Sequence, residues 1–271
     1  MTPGTLVSRS GSSALEVARR CAERAGQLLR ERFGSQQEVR AKGRRDFVTE
    51  ADLLVQRETL ELLQREYPDC PVLAEEATSA PPPLDEGWLW VVDPLDGTTN
   101  FSRGIPHFCF SIALCWDGRP VLALTYQPIA GEEFVAQRGQ GTLLNGAPVR
   151  ASTSPGMATS FLGLDLGYDD ERAARLLDFV RSLWPRFLGF RLMGSAALGL
   201  AYAACGRLDV YLHCHLKPWD VAAGILLVEE AGGLALDWRG APARIDSEAV
   251  VVGAPGVVRE VVARAGGDLW R

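Results

Sequence analysis

The sequence predicts a mixed protein of two lobes, α+β over residues 1–150 and α/β over residues 151–271, and three observations predict it. Two long stretches near the N-terminus carry helix start signals followed by apolar residues at helical spacing. Residues near 70 to 150 alternate short apolar runs with turn signals, the mark of a largely antiparallel sheet. Beyond Ser152-Thr-Ser-Pro155 helical and strand periods alternate, which is the α/β pattern. At roughly 150 residues per domain, the length suits one large domain or two tightly joined lobes.

The elements follow in order. Ser13-Ala-Leu-Glu16 reads as a capping box, and Leu15, Ala18, Ala22, Ala25, Leu28 and Leu29 keep helical spacing up to Phe33-Gly34. Thr49-Glu-Ala-Asp52 opens a second helix that runs through Leu53, Leu54, Val55, Leu60, Leu62 and Leu63 to Tyr67-Pro68. A basic loop, Arg40-Ala-Lys42-Gly-Arg44-Arg45, lies between them. Strands are predicted at Val72 to Ala74, Trp88 to Val92, Phe108 to Trp116, Val121 to Tyr126 and Glu133 to Gln137, with a hairpin turn at Asn145-Gly146. In the second lobe helices at Asp170 to Leu183, Ser195 to Cys205 and Trp219 to Glu230 alternate with strands. These are Phe161 to Leu164, Leu208 to Leu212, Leu234 to Asp237 and Val250 to Val252.

Composition narrows the function classes. Hydrophobic residues make up 47% and charged residues 23%, which excludes disordered and fibrous classes. The net charge of −6 argues against a general binder of phosphate backbones, so nucleic acid is not the expected partner. The longest uncharged stretch, Leu192 to Gly206, holds 15 residues, short of the roughly 20 a bilayer requires. Met1 to Ser13 has no apolar core behind its one charge at Arg9, so no secretory signal is expected. Six cysteines without a CxxC pair read as reduced thiols of a cytoplasmic protein.

The most informative segment is Trp88-Leu-Trp-Val-Val-Asp93-Pro-Leu-Asp96-Gly-Thr-Thr-Asn100. Five apolar residues form a strand buried on both faces, ending in a carboxylate where sheets of this kind present ligands. Pro94 keeps Asp93 out of helical conformation. Asp96 stands as an N-cap, and Gly97 to Asn100 leave free N–H groups at a helix start, where an anion can sit. Two carboxylates beside an anion site repel each other and the anion unless a hard cation neutralises them, and oxygen ligands alone favour magnesium over zinc. Glu75-Glu76 close the run Val72-Leu-Ala, and Asp220 sits in the first turn after Lys217-Pro-Trp. Singly, each of these acids reads as an ordinary turn or helix-dipole carboxylate. The small residues Ala222, Ala223 and Gly224 let that last helix approach a neighbour closely.

Jointly, Thr49-x-x-Asp52, Glu75-Glu76, Asp93-Pro-Leu-Asp96-Gly-Thr-Thr and Trp219-Asp220 form a specific order. With Gly194-Ser-Ala-Ala-Leu and Cys205-Gly-Arg-Leu-Asp209 they make the chain resemble the inositol monophosphatase family of magnesium-dependent, lithium-inhibited phosphatases, from about residue 14 to 260. The resemblance implies a layered α-β-α-β-α sandwich of the inositol monophosphatase / fructose-1,6-bisphosphatase type that assembles into homodimers. It implies that Glu75, Asp93, the Leu95 carbonyl, Asp96 and Asp220 bind two or three Mg2+ ions, and that Asp52, Thr98 and Glu75 serve the attacking water. Gly97 and Thr98 would hold the phosphate, and Gly194, Ser195 and Ala196 part of the alcohol. The implied substrate is a small phosphorylated alcohol such as inositol 1-phosphate or a sugar phosphate.

Two departures stand out. The family's glutamate that contacts sugar hydroxyls falls at His213 here; an imidazole can donate or accept a hydrogen bond, so the pocket is open to a hydroxylated substrate, to another alcohol or to a second phosphate. Ala74 stands where glycine usually precedes the paired glutamates. His213-Cys-His215 lacks the four ligands of structural zinc, and His107 reads as a packing or loop residue. Asp93 and Asp96 are three apart rather than two, which disfavours an aspartyl-phosphate intermediate. Histidinol-phosphate, fructose-1,6-bisphosphate and 3′-nucleotide phosphatases are the alternatives within the family, the last disfavoured because Thr99 stands where the nucleotide subgroup usually has lysine after Gly-Thr. From another class, a non-catalytic partner of RNA or the transcription machinery would use the basic loop.

Overall fold

The computed structural model describes residues 6–35, 39–44, 47–77 and 80–266. Residues 1–5 of the segment examined for a leader, Arg45 of the basic loop and the last residues of the second lobe, 267–271, lie outside the described residues. Helix α1 (Ala14–Arg32) begins on the capping box read from the sequence: the Ser13 N–H donates to the Glu16 carboxylate at 2.7 Å, and the Glu16 N–H donates to the Ser13 hydroxyl at 3.2 Å. The basic segment is a hairpin rather than a plain loop, with β1 (Val39–Ala41) antiparallel to β2 (Phe47–Thr49). Three-residue strands give no readable alternation, so pattern alone misses them. Helix α2 (Glu50–Glu66) starts on the second capping box, Thr49 with Asp52.

A seven-stranded sheet follows: β3 (Val72–Ala74), β4 (Trp88–Asp96), β5 (Cys109–Trp116), β6 (Arg119–Gln127), β7 (Glu132–Gln137), β8 (Thr142–Leu144) and β9 (Ala147–Val149). They lie in sequence order, all antiparallel except β3 with β4. The short helix α3 (Thr98–Ser102) interrupts between β4 and β5. The second half supplies β10 (Phe161–Asp165), α4 (Asp170–Leu183), β11 (Gly189–Leu192), α5 (Ala196–Ala204), β12 (Val210–His213), α6 (Pro218–Glu230), β13 (Leu234–Asp237), β14 (Val250–Gly253) and α7 (Pro255–Ala265). Its five-stranded sheet has the order β11-β10-β12-β14-β13, parallel from β11 to β12 and antiparallel beyond. Strand β11 and helix α7 escape the sequence reading. The first is a half-exposed edge without alternation, and the second is rich in valine, which favours strands locally.

Three apolar clusters stack these elements into the expected layers. Trp90, Val92 and Leu124 pack against Val17, Leu29 and Val55 of α1 and α2. On the opposite face of the same sheet, Leu89, Val91 and Ala123 meet Leu198, Leu200 and Leu226 of α5 and α6, whose far side packs on Tyr211 and Val252 of the second sheet. Leu176, Val180 and Val257 of α4 and α7 close the outer face of that sheet. The order is α, β, α, β, α, and the strand predicted to be buried on both faces is so. Gly224 of α6 sits where a Cβ would lie 2.5 Å from the Leu200 Cβ of α5. Among the described residues no helix is long and apolar enough to cross a membrane.

Candidate active site

Strand β4 ends the site's first arm. Its ladder with β5 shifts register between Asp93 and Asp96, around Pro94, so the chain bends out of the sheet just where the two carboxylates stand. Strand β3 runs parallel to β4 and delivers Glu75 to the same end, where the Glu75 N–H donates to the Val92 carbonyl at 3.3 Å. The N-terminus of α6 brings Asp220, which accepts the Lys217 N–H at 2.7 Å across the first turn. Carboxylate oxygens of Asp93, Asp96 and Asp220 all lie within 4.8 Å of one another, across 127 residues of sequence.

Charge crowding shows in the acidities. Burial, then Glu75, Asp96 and Asp220, raise Asp93 well above the usual carboxylate range. Burial, then Asp96 and Glu75, do the same to Asp220. Burial pushes Glu75 up to about 7 against the pull of Lys42. Lys42, at the tip of the β1–β2 hairpin, donates to Glu75 at 2.8 Å and to Glu76 at 2.7 Å. The donor set is oxygen only and its charges repel, so it suits a hard divalent cation such as Mg2+. The Leu95 carbonyl oxygen lies beside them, 2.9 Å from Thr98 Oγ1.

Asp96 departs from its expected role. The N-cap of α3 is Gly97, whose φ of 93° is left-handed, so Asp96 turns away from its own helix. It accepts the Ala196 and Ala197 N–H groups at 3.2 and 2.8 Å and the Ser195 hydroxyl, thereby capping α5 instead. Ser195 and Ala196, expected on the alcohol side, therefore also fix a carboxylate of the cluster.

Asp52 is fully buried at the first turn of α2. One oxygen accepts the Thr49 N–H at 2.8 Å and the Thr49 hydroxyl, while the other accepts the Thr98 hydroxyl at 2.8 Å. Burial outweighs these bonds and raises it to about 6.

A cavity of about 690 Å3 opens from the cluster, and Gly97, Thr98, Gly194, Ser195, Ala196 and His213 all line it. Asp52, fully buried, lines no part of this cavity and meets it only through Thr98. His213 is buried, its Nδ1 accepts the His215 N–H at 3.1 Å, and burial pushes it down to about 3. Cys214 turns its thiol to the Leu166 carbonyl at 3.3 Å. Among the described residues no histidine or cysteine joins a group of three or more that could hold a metal. His107 stacks edge-on against Tyr202 and lines the same cavity.

Sequence reasoning missed three residues. Asp165 ends β10 and accepts the Met193 and Gly194 N–H groups at 3.1 and 2.6 Å and the Tyr211 hydroxyl at 2.9 Å. The signal was available, since an apolar strand ending in an acid is the pattern that singled out Asp93. Asn100 donates to the carbonyls of His107 at 2.8 Å and Met193 at 2.7 Å, tying α3 to the loop before α5. Lys42 was read only as part of a basic run, and nothing local marks its acidic partners.

Comparison with known proteins places the whole fold. The sequence profile described as the inositol monophosphatase family matches residues 11–269. The Nus factor SuhB of Escherichia coli K12 is 38% identical over 258 residues, covering 94% of this chain and 96% of its own. The Nus factor SuhB of Pseudomonas aeruginosa is 39% identical over 249 residues, covering 88% and 90%. Among solved structures, an IMPase of Thermotoga maritima superposes with a TM-score of 0.85 at 31% identity, covering 93% of this chain and 96% of its own. The extragenic suppressor protein suhB of Bartonella henselae superposes with a TM-score of 0.88 at 32% identity, covering 93% and 98%.

Proposed function

The chain belongs to the inositol monophosphatase family, and from that premise we propose that it is a magnesium-dependent phosphomonoesterase acting on a small phosphorylated alcohol. The observation that carries this reading is the convergence of Asp93, Asp96 and Asp220, with Glu75 alongside, next to the Asp52–Thr98 pair. Glu75, Asp93, the Leu95 carbonyl, Asp96 and Asp220 would hold the ions. Magnesium bound there would neutralise the phosphate, acidify a water and stabilise the leaving alkoxide.

The chain's own groups do the rest. Thr98 Oγ1 gives its hydrogen to Asp52 Oδ1, which leaves an oxygen lone pair to receive a hydrogen from the attacking water. Asp52, already raised by burial, is suited to take the proton passed through Thr98. The Gly97 and Thr98 amides at the start of α3 receive phosphate oxygens. Ser195, Ala196 and Ala197 hold Asp96 in place, so α5 positions both a metal-side acid and the cavity wall. Phosphoryl transfer demands chiefly positioning and charge neutralisation, and these contacts provide both. In this reading residues 1–150 carry most of the metal site, and residues 151–271 add Asp220 and the substrate wall. A cytoplasmic homodimer, inhibited by lithium, completes the proposal.

The test is phosphate release by purified protein across sugar phosphates, inositol phosphates, histidinol phosphate and bisphosphonucleotides, with magnesium or with a chelator. Magnesium-dependent release from at least one monoester is expected. No release from any of them contradicts it.

The names of the relatives favour a second reading, a non-catalytic role beside the transcription machinery. The exposed arginines Arg40 and Arg44 on the hairpin are the surface it would use. A salt-sensitive RNA complex that survives Asp93→Asn would support it.

A further inference from the structure

The chain has 28 lysines and arginines, of which only Lys42 and Lys217 are lysines, and both line the chamber of about 300 Å3 around the carboxylate cluster. Everywhere else the chain uses arginine. The two cations differ most where carboxylates crowd, because a guanidinium forks onto a carboxylate in a planar bidentate pair, whereas an ammonium is a compact charge on a flexible stem. Lysine is the cation that changes partners.

The two lysines are placed differently. Lys42 is committed, since its ammonium donates to Glu75 at 2.8 Å and to Glu76 at 2.7 Å. Lys217 is the N-cap of α6, extended ahead of Pro218, and its backbone N–H rather than its side chain serves the Asp220 carboxylate, at 2.7 Å. Among the described residues its ammonium makes no hydrogen bond or ion pair. Its charge nevertheless acts in the chamber, where it lowers Asp220 against the larger upward push of burial, Asp96 and Glu75. Glu248, which also feels that charge, is taken by Arg172 at 2.8 Å. The same chamber wall carries Gly97 and Thr98, the residues assigned to the phosphate.

Charge balance points to what Lys217 receives. In the phosphatase reading Glu75, Asp93, Asp96 and Asp220 balance two divalent cations, and Glu76 balances Lys42. The charge of the ester is then left over, and Lys217 is the one lysine or arginine on the chamber wall, among the described residues, that has no partner. A hydrogen bond from an ammonium to a phosphate oxygen is roughly twice as strong as a neutral one.

We propose that Lys217 Nζ binds the phosphate in this chamber, donating to an oxygen of the bound monoester and of the inorganic phosphate left after hydrolysis, whatever alcohol the ester carries. The inference rests on the phosphatase reading of the same site, yet the phosphate contact is measurable without turnover.

The test titrates inorganic phosphate calorimetrically into the full chain at saturating magnesium. Lys217→Met should weaken phosphate binding by about tenfold, the order expected for losing one hydrogen bond between charged groups. Lys217→Arg should restore most of that affinity, while weakening magnesium binding itself because a guanidinium competes for the carboxylates. In Lys217→Met magnesium affinity should hold or rise, since the cluster becomes more negative. On any ester that is hydrolysed, Lys217→Met should lower kcat/KM and raise the inhibition constant of inorganic phosphate by about the same tenfold factor, equally for every alcohol. Phosphate affinity unmoved in Lys217→Met overturns the proposal, and so does a loss of magnesium affinity alongside it, which marks a merely structural role. Weaker phosphate binding in Lys217→Met, with no ester hydrolysed by the wild type, supports this inference and removes the phosphatase reading; hydrolysis with phosphate affinity unmoved removes the inference alone.

Discussion

Thr98 gives its hydroxyl hydrogen to Asp52 at 2.8 Å, joining the turn after β4 to the first turn of α2 across 46 residues of sequence. Because Thr49 holds the other Asp52 oxygen, the carboxylate has little freedom left. Asp52→Asn and Thr98→Ala should each lower phosphate release by about a hundredfold or more while magnesium still binds, since general-base assistance contributes on that order. Steady-state rates at saturating magnesium, with calorimetric magnesium titration, check this. Unchanged kcat in both variants would remove the pair from the chemistry.

Lys42 places an ammonium 2.8 Å from Glu75, where a divalent cation would need that oxygen. Removing it makes the site more negative and takes away a tethered competitor. Lys42→Met should therefore tighten magnesium binding, by roughly three- to tenfold. Weaker binding in the calorimeter would show that Lys42 instead organises Glu75 for the metal.

Gly224 lets α6 approach α5 so closely that a Cβ there would stand 2.5 Å from Leu200 Cβ and Cδ1. Gly224→Ala should destabilise the protein by about 2 kcal/mol and lower Tm by roughly 5 °C. Scanning calorimetry measures this, and an unchanged Tm would mean that the helices separate without cost.

Stability should depend on pH through the buried acids. Glu75 is raised to about 7, and Asp52 and Asp165 to about 6, in each case by burial first. The fold therefore takes up protons that the unfolded chain releases at much lower pH. That stability is present in acid and lost as pH rises through 6 to 7. His213, lowered to about 3 by burial, acts in the opposite sense below pH 6.5, where the unfolded chain binds a proton that the fold refuses. In chelator, Tm should fall between about pH 6.5 and about pH 8. Magnesium binding competes with protons, so the rise in Tm that it produces should be larger at the higher pH. Equal rises at both would contradict the burial of these acids.

How much of this was legible in the sequence depends on whether the signal was local. The capping boxes at Ser13 and Thr49, the Trp88 to Val92 strand and the small residues around Gly224 each carry their own pattern, and the structure bears them out. Asp93, Asp96 and Asp220 stood out by order along the chain, and the fold brings them together. The capping of α5 by Asp96 was not readable, because the partner N–H groups lie 100 and 101 residues away. Lys42 was hidden for the same reason, at 33 residues from Glu75. Strand β11 is an edge with half its side chains in water, so it has no buried face to write a period.

The claim that this fold assembles a divalent-cation site is tested most directly by calorimetric magnesium titration of the wild-type chain, Asp93→Asn and Asp220→Asn at neutral pH. Saturable binding by the wild type and its loss in both variants, with circular dichroism unchanged, is the predicted result. Isotherms that coincide across all three proteins would contradict it.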